Sequence, residues 1–237
     1  MKTVAIILAG GSGTRMGTNI PKQFLKINGK PIIVWTIENF QKNSKIDSIL
    51  VSCNLVYIEH MKKLVDEYHL DKVEWVIPGG KTSSDSTSNG VFQLKNVLGE
   101  GDYVIIHDAV RPILPQKAID DMLEVAKEHG NASLAIPCYE TVLLTEDGIS
   151  GKTQIDRSKV MRVQTPQAYL YAEILSMYER VKKEDRNDFV YANLIYINYG
   201  KSIYFSKGFI NNIKITKSED LVLCESLMKF NEDQLYN

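Results

Sequence analysis

Residues 4–24 read VAIILAGGSGTRMGTNIPKQF. Val4 to Leu8 form a β-branched apolar run of the length of a buried strand, and glycines at 10, 11, 13 and 17 follow directly. A parallel sheet takes its ligands beyond the carboxyl ends of its strands, where this loop falls. Glycines let main-chain N–H groups turn toward a ligand with no Cβ in the way, a geometry suited to phosphate. Arg15 adds a planar fork for phosphate oxygens and Lys22 a compact ammonium. Two known phosphate loops do not fit: there is no G-x-x-x-x-G-K-S/T, and Gly11-Ser12-Gly13 lacks the third glycine of a dinucleotide loop. Taken alone, the cluster is equally readable as a glycine-rich turn with solvated charges.

Outward from this loop, apolar runs alternate with helical periodicity. Strands are expected at Val4–Leu8, Ile46–Ser52, Val73–Ile77, Tyr103–His107 and Ser133–Ile136. Helices are expected at Pro31–Gln41, Tyr57–Tyr68, Ser84–Leu98, Gln116–His129, Tyr169–Lys183 and Ser218–Phe230, the last opened by Ser218. Repeated βα units imply an α/β fold with a doubly wound, mostly parallel, Rossmann-like sheet. The rhythm breaks after Pro137: Tyr139–Leu144 and Lys159–Gln164, with a polar turn between them, read as two strands of a protruding arm spanning 137–166. The segment from 184 through Phe205 reads as mixed. The chain reads as one domain, 1–237, with an arm.

Composition narrows the function classes. The 237 residues carry a net charge of −1, so no global field draws nucleic acid or an acidic membrane, and any anion site is local. Cys53, Cys138 and Cys224 are far apart and lack metal-ligand spacing, as expected of reduced thiols in a cytoplasmic protein. No segment reaches the roughly 20 apolar residues of a membrane span, and the apolar run before the glycines is too short for a signal-peptide core.

Asp108 lies in IIHDAVRP (105–112), at the end of a strand. A carboxylate there suits Mg²⁺ held largely by phosphate oxygens, and Arg111 suits a second phosphate; the other reading of Asp108 is a turn former. His107 reads as strand end rather than base. LAGGSGTRM, PKQF, HDAVRP and the run Asn212-Ile213-Lys214-Ile215-Thr216 come in the order found in cytidylyltransferases acting on 2-C-methylerythritol 4-phosphate or ribitol 5-phosphate, and the chain resembles that family from Val4 to about Met228.

The resemblance implies that Leu8, Ala9, Gly10, Gly11 and Gly13 wrap CTP, with Gly79, Gly80 and Ser86 beside the nucleotide. Arg15, Lys22 and Lys214 would be the catalytic cations, and Asp108 the metal and substrate contact with Arg111. By pattern alone, Lys214 within an apolar strand has even claims to point to solvent. The family implies that Thr141, Arg157 and Thr165 bind the alcohol phosphate, the arm reaching across a homodimer by arm exchange. Arg157 taken alone reads as an ordinary surface charge. Where the family commonly has arginine this chain has Ser83, so a positive group is missing there or Lys81 replaces it.

The implied partners are CTP, Mg²⁺ and a small alcohol phosphate, with no nucleic acid and no membrane. Gln164-Thr165-Pro166-Gln167 is closer to the ribitol phosphate group, and Asn187-Asp188-Phe189 departs from the acidic T-D-D/E-A of the methylerythritol enzymes. The reaction expected is transfer of CMP to a polyol phosphate for wall or capsule polymer. The alternatives are the methylerythritol reaction of isoprenoid synthesis and a non-catalytic nucleotide-binding scaffold. A nicotinamide reductase fits poorly, since Ser52-Cys53-Asn54 stands where an acid is wanted.

Overall fold

The computed structural model describes residues 1–11, 20–186, 188–230 and 232–236. β1 (Thr3–Ala9) is followed by a small hairpin, β2 (Lys26–Ile27) and β3 (Lys30–Pro31), and then by α1 (Ile32–Lys42). β4 (Ser48–Cys53), α2 (Ile58–Glu67), β5 (Val73–Pro78), α3 (Ser83–Gln93), β6 (Tyr103–Asp108), α4 (Gln116–His129) and β7 (Asn131–Pro137) continue the alternation. The arm strands β8 (Val142–Leu144) and β9 (Thr153–Ile155) come next, followed by β10 (Met161–Leu170), α5 (Tyr171–Lys183), α6 (Ala192–Asn198), β11 (Phe205–Lys207), α7 (Ser218–Leu227) and α8 (Glu232–Tyr236).

The seven-stranded sheet runs β11-β7-β10-β6-β1-β4-β5, parallel except at β10. Period-two alternation distributes its side chains over two cores. Ala5, Ile7, Ile49, Val51 and Ile105 face α1, α2 and α4, while Val4, Ile6, Leu50, Val104 and Ile106 face α3, α5 and α6. Both faces are covered, as a doubly wound sheet requires. Each fully buried isoleucine contributes about 2 kcal/mol, so the central strands anchor the loops at their carboxyl ends.

The arm differs from expectation. Lys159–Gln164 is not an arm strand: from Met161 the chain enters β10, antiparallel between β6 and β7. The arm hairpin is β8 with β9 alone. Two open strand edges, of β6 and β7, offer β10 a longer ladder than a three-residue arm strand could. The helix expected from Tyr169 starts at Tyr171, α3 stops at Gln93 and α7 at Leu227. α6 and β11 occupy the segment read as mixed. Ser218 is the first residue of α7, and the turn is closed instead by Asp220, which accepts the N–H groups of Thr216 and Lys217 at 2.6 and 2.8 Å. Residues 212–216 belong to no helix or strand, so alternation does not decide where Lys214 points.

Candidate active site

At the carboxyl ends of β1, β5 and β6, stretches distant in sequence line a cavity of about 260 Å³: the turn after β1 to Gly11, Lys22, the loop from Gly80 to Ser83, Asp108 and Lys214. Gly13 and Arg15 lie outside the described residues. Leu8, Ala9, Gly10 and Gly11 form the described part of the loop's wall. Gln23, buried, donates from Nε2 to the carbonyls of Ala9 (2.7 Å) and Gly11 (3.0 Å). It ties down the stem of the glycine loop, a role the sequence reading missed although PKQF was in view.

The opposite wall is the entry to α3. Thr82 and Asp85 cap each other reciprocally, Thr82 Oγ1 accepting from the Asp85 N–H and Asp85 Oδ2 from the Thr82 N–H, both at 3.0 Å. Gly80 passes so close to this turn that a Cβ on it would lie 2.1 Å from the Asp85 Cβ, so only glycine fits. Ser86 is buried behind it. Its Oγ accepts the Gly80 N–H at 3.0 Å and donates to the Thr82 carbonyl at 2.9 Å, and a Cβ on Gly10 or Gly79 would meet that oxygen at 3.1 or 3.0 Å. Ser86 thus braces Gly80 and Gly10 of the wall and packs beside Gly79, which does not itself line the cavity. Ser83 and Lys81 both line the cavity, and Lys81 has no hydrogen bond or ion pair among the described residues.

Asp108 is the hub. Arg111 Nε donates to its Oδ2 at 2.9 Å and Lys214 Nζ to its Oδ1 at 3.0 Å. Burial by itself would raise the carboxyl, but the Lys214 charge and then the Arg111 charge outweigh it and hold the group at about 2. The main-chain N–H of Asp108 donates to Thr165 Oγ1 at 3.2 Å. Thr165 stands where the β10–β7 ladder shifts register between Val163 and Gln167, a bulge that frees the strand to face Asp108. It therefore belongs to the main sheet of its own chain, not to the arm as expected. Arg111 also donates from Nη1 to the Asn212 carbonyl at 2.7 Å, and Lys22 Nζ to the Ile215 carbonyl at 2.9 Å.

A second cavity, about 370 Å³, opens on the other side of Asp108 and Lys214, with Arg111, Thr165, Gln167, Tyr191 and Leu194 among its walls. Tyr191 and Leu194 were not singled out from the sequence. Asp188, compared there with the family's acidic stretch, instead forms a two-pronged pair with Arg186 and lines neither cavity. Thr141 and Arg157 also line neither. Thr141 is exposed just before β8, and Arg157 donates to the Tyr139 carbonyl at 2.7 Å within the arm. His107 is fully buried with Nε2 3.1 Å from the Arg111 carbonyl, and burial lowers its pKa to about 4. A neutral histidine held this way is structural. Among the described residues no helix is long and apolar enough to cross a membrane.

The chain compares closely with known proteins along its whole length. It is 36% identical over 230 residues to the ribitol-5-phosphate cytidylyltransferase of Lacticaseibacillus paracasei, covering 96% of this chain and 98% of that protein. To the 2-C-methyl-D-erythritol 4-phosphate cytidylyltransferase of Clostridium novyi it is 35% identical over 230 residues, covering 96% and 97%. The fold matches the crystal structure of 4-diphosphocytidyl-2C-methyl-D-erythritol synthase from Anaerococcus prevotii with a TM-score of 0.80 at 21% identity, covering 97% of this chain and 99% of that one. A profile of one nucleotidyltransferase family matches residues 3–230, and the chain belongs to that family, the 2-C-methyl-D-erythritol 4-phosphate cytidylyltransferases (IspD).

Proposed function

We propose that the protein transfers CMP from CTP to ribitol 5-phosphate or a closely similar polyol phosphate, giving a CDP-alcohol and pyrophosphate. The observation that carries this reading is the pair of cavities meeting at Asp108 and Lys214. One is walled by glycines and a capped helix start, the other by amides, Tyr191 and apolar side chains. A phosphate oxygen of the acceptor attacks the α-phosphorus of CTP in line, the α–β bond breaks, and pyrophosphate leaves with its electron pair. A phosphate monoester is nucleophilic enough without a general base, so catalysis is positioning and charge neutralisation. Lys214, at the junction, is placed to meet both polyanions, with Lys22 on the nucleotide side and Arg111 on the acceptor side.

The donor set fits Mg²⁺ that arrives with the nucleotide. No group of three His, Cys, Asp or Glu able to hold a metal occurs among the described residues, but Asp108 supplies one carboxylate kept ionised, and Mg²⁺ favours one or two carboxylates with phosphates and water. Held by Asp108, the ion would neutralise triphosphate oxygens.

The relative named for ribitol 5-phosphate supports the acceptor, as does Gln164-Thr165-Pro166-Gln167 in the wall of the second cavity. The family profile and the Clostridium novyi relative favour a second reading, methylerythritol 4-phosphate. Pyrophosphate release with CTP and a panel of alcohol phosphates separates them. Turnover with ribitol 5-phosphate supports the first, and turnover with methylerythritol phosphate but no pentitol phosphate establishes the second.

The same reading makes the protein a homodimer by arm exchange. Thr141 and Arg157 line neither cavity of their own chain, and Tyr139, Leu143, Leu144 and Ile149 leave the arm's apolar surface exposed. A two-fold partner covers both copies at once and brings Arg157 to the neighbour's acceptor phosphate. The three cysteines are free and buried, which supports a reducing, cytoplasmic setting.

A further inference from the structure

The run from Asn212 to Thr216 belongs to no sheet, yet three cations of the site depend on it. Its carbonyls at 212 and 215 accept from Arg111 and Lys22, and its own Lys214 reaches Asp108. A segment outside a ladder has no register to hold it, so the spacing of these charges is set by other anchors. Two lie at its C-terminal end. Ile215 is fully buried with its N–H on the Val110 carbonyl at 3.0 Å, and Asp220 holds the N–H of Thr216 at 2.6 Å.

Toward β10 the run is held by Asn212. This side chain is 2% exposed, and its Nδ2 donates to the Thr165 carbonyl at 2.8 Å and to Gln164 Oε1 at 3.4 Å. Asn212 thereby closes a ring: Asp108 to Thr165 through the Oγ1 contact, Thr165 to the Asn212 amide, the Asn212 carbonyl to Arg111, and Arg111 back to Asp108. Its Oδ1 is buried with no partner among the described residues, a desolvation penalty that a residue serving only to fill space would not carry.

We propose that Asn212 is a positioning residue that fixes Arg111 and Lys214 on either side of Asp108, and so sets the charge geometry the two phosphates meet. The proposal rests on the reading of Lys214 given above. It acts through the main chain of the run rather than on substrate.

The test uses the full chain and compares Asn212→Leu, branched like asparagine at Cγ but without a donor, with Asn212→Ala. Pyrophosphate release and thermal melting are followed in each, alone and combined with Lys214→Gln. Asn212→Leu is expected to melt within a few degrees of wild type while kcat falls at least about tenfold and KM for CTP changes less than about threefold. In the Lys214→Gln background the further fall in kcat should be clearly smaller than in wild type, because one of the two cations that Asn212 positions is gone while Arg111 remains, whereas the melting shifts should add. Equal factors in both backgrounds, wild-type kcat in Asn212→Leu, or failure of both variants to fold would overturn the positioning role. Full activity of Lys214→Gln by itself would remove the reading of Lys214, and this proposal with it, a distinct outcome visible in the single variant.

Discussion

Lys214 spans 106 residues of sequence to place its ammonium 3.0 Å from Oδ1 of Asp108, on the oxygen opposite the one that Arg111 takes. One carboxylate therefore holds two cations at the junction of two cavities.

Asp108→Asn keeps the shape and removes the charge. It should lower kcat/KM by about 2–4 kcal/mol of transition-state stabilisation, roughly 30- to 1000-fold, and raise the Mg²⁺ needed for half-maximal rate. Steady-state kinetics across a Mg²⁺ titration checks this, and turnover within twofold of wild type would remove Asp108 from the site.

Acid stability should fall in two windows. His107 has a folded pKa of about 4, below its unfolded value of 6.5, so its contribution is complete above pH 6.5 and is lost as pH drops toward 4, about 3 kcal/mol in all. Asp108, depressed from 3.8 to about 2, contributes fully above pH 4 and loses about 2 kcal/mol as pH falls to 2. Denaturant unfolding of wild type and His107→Gln from pH 7 to 4 should show the slope only in wild type, and parallel curves would refute it.

Gly80→Ala drives a Cβ into Asp85 and must open the capped entry to α3. Its signature should be weaker CTP binding, roughly fivefold to thirtyfold by the order of a lost capped turn at about 1–2 kcal/mol, with the acceptor KM little changed. Calorimetric titration with CTP reads the loss, and unchanged affinity would detach that wall from the nucleotide.

Lys81 is exposed, lines the nucleotide cavity and has no partner among the described residues, while Ser83 stands where the family commonly has arginine. If Lys81 supplies the missing charge, Lys81→Ala should raise KM for CTP by roughly twofold to fivefold, in the range of a solvated charge contact. The effect should shrink at high salt. A salt-independent or absent change would leave the Ser83 position uncompensated.

Arm exchange predicts complementation. Mixing Arg157→Ala chains with Lys22→Ala chains should restore activity, since one site of each heterodimer carries both lesions and the other neither. Equal random mixing then gives about a quarter of wild-type turnover (half the dimers, one good site in each). With subunit exchange verified, a mixture as inactive as its parents would place both residues in one chain's site.

Five of the six parallel strands and the helices between them were legible because each alternates or repeats within its own length, while β11 fell in the segment read as mixed. β10 was not, since Lys159–Gln164 has the same local pattern whether it pairs in an arm or between β6 and β7. Only the long-range partners decide. Asp108, Arg111 and Lys214 were legible as chemistry, but the ring joining them through Thr165 and Asn212 depends on buried amide contacts that no spacing reveals. Leu194 reaches the second cavity from α6 and Tyr191 from the residue just before it, and the mixed aromatic and β-branched composition of α6 hides its helical period. Support for a non-catalytic scaffold, which rested on Ser83, is outweighed by a full-length match to cytidylyltransferases.

β10 leaves the root of the arm at Met161 and, past the register shift between Val163 and Gln167, continues into the middle of the sheet. Thr165 lies four residues along it, roughly 13 Å of extended chain, so the root of the arm and the contact to Asp108 belong to one strand. A second copy gripping the arm would act as an outside strut for one wall of the acceptor cavity. A chain without such a partner would hold that wall from one end only.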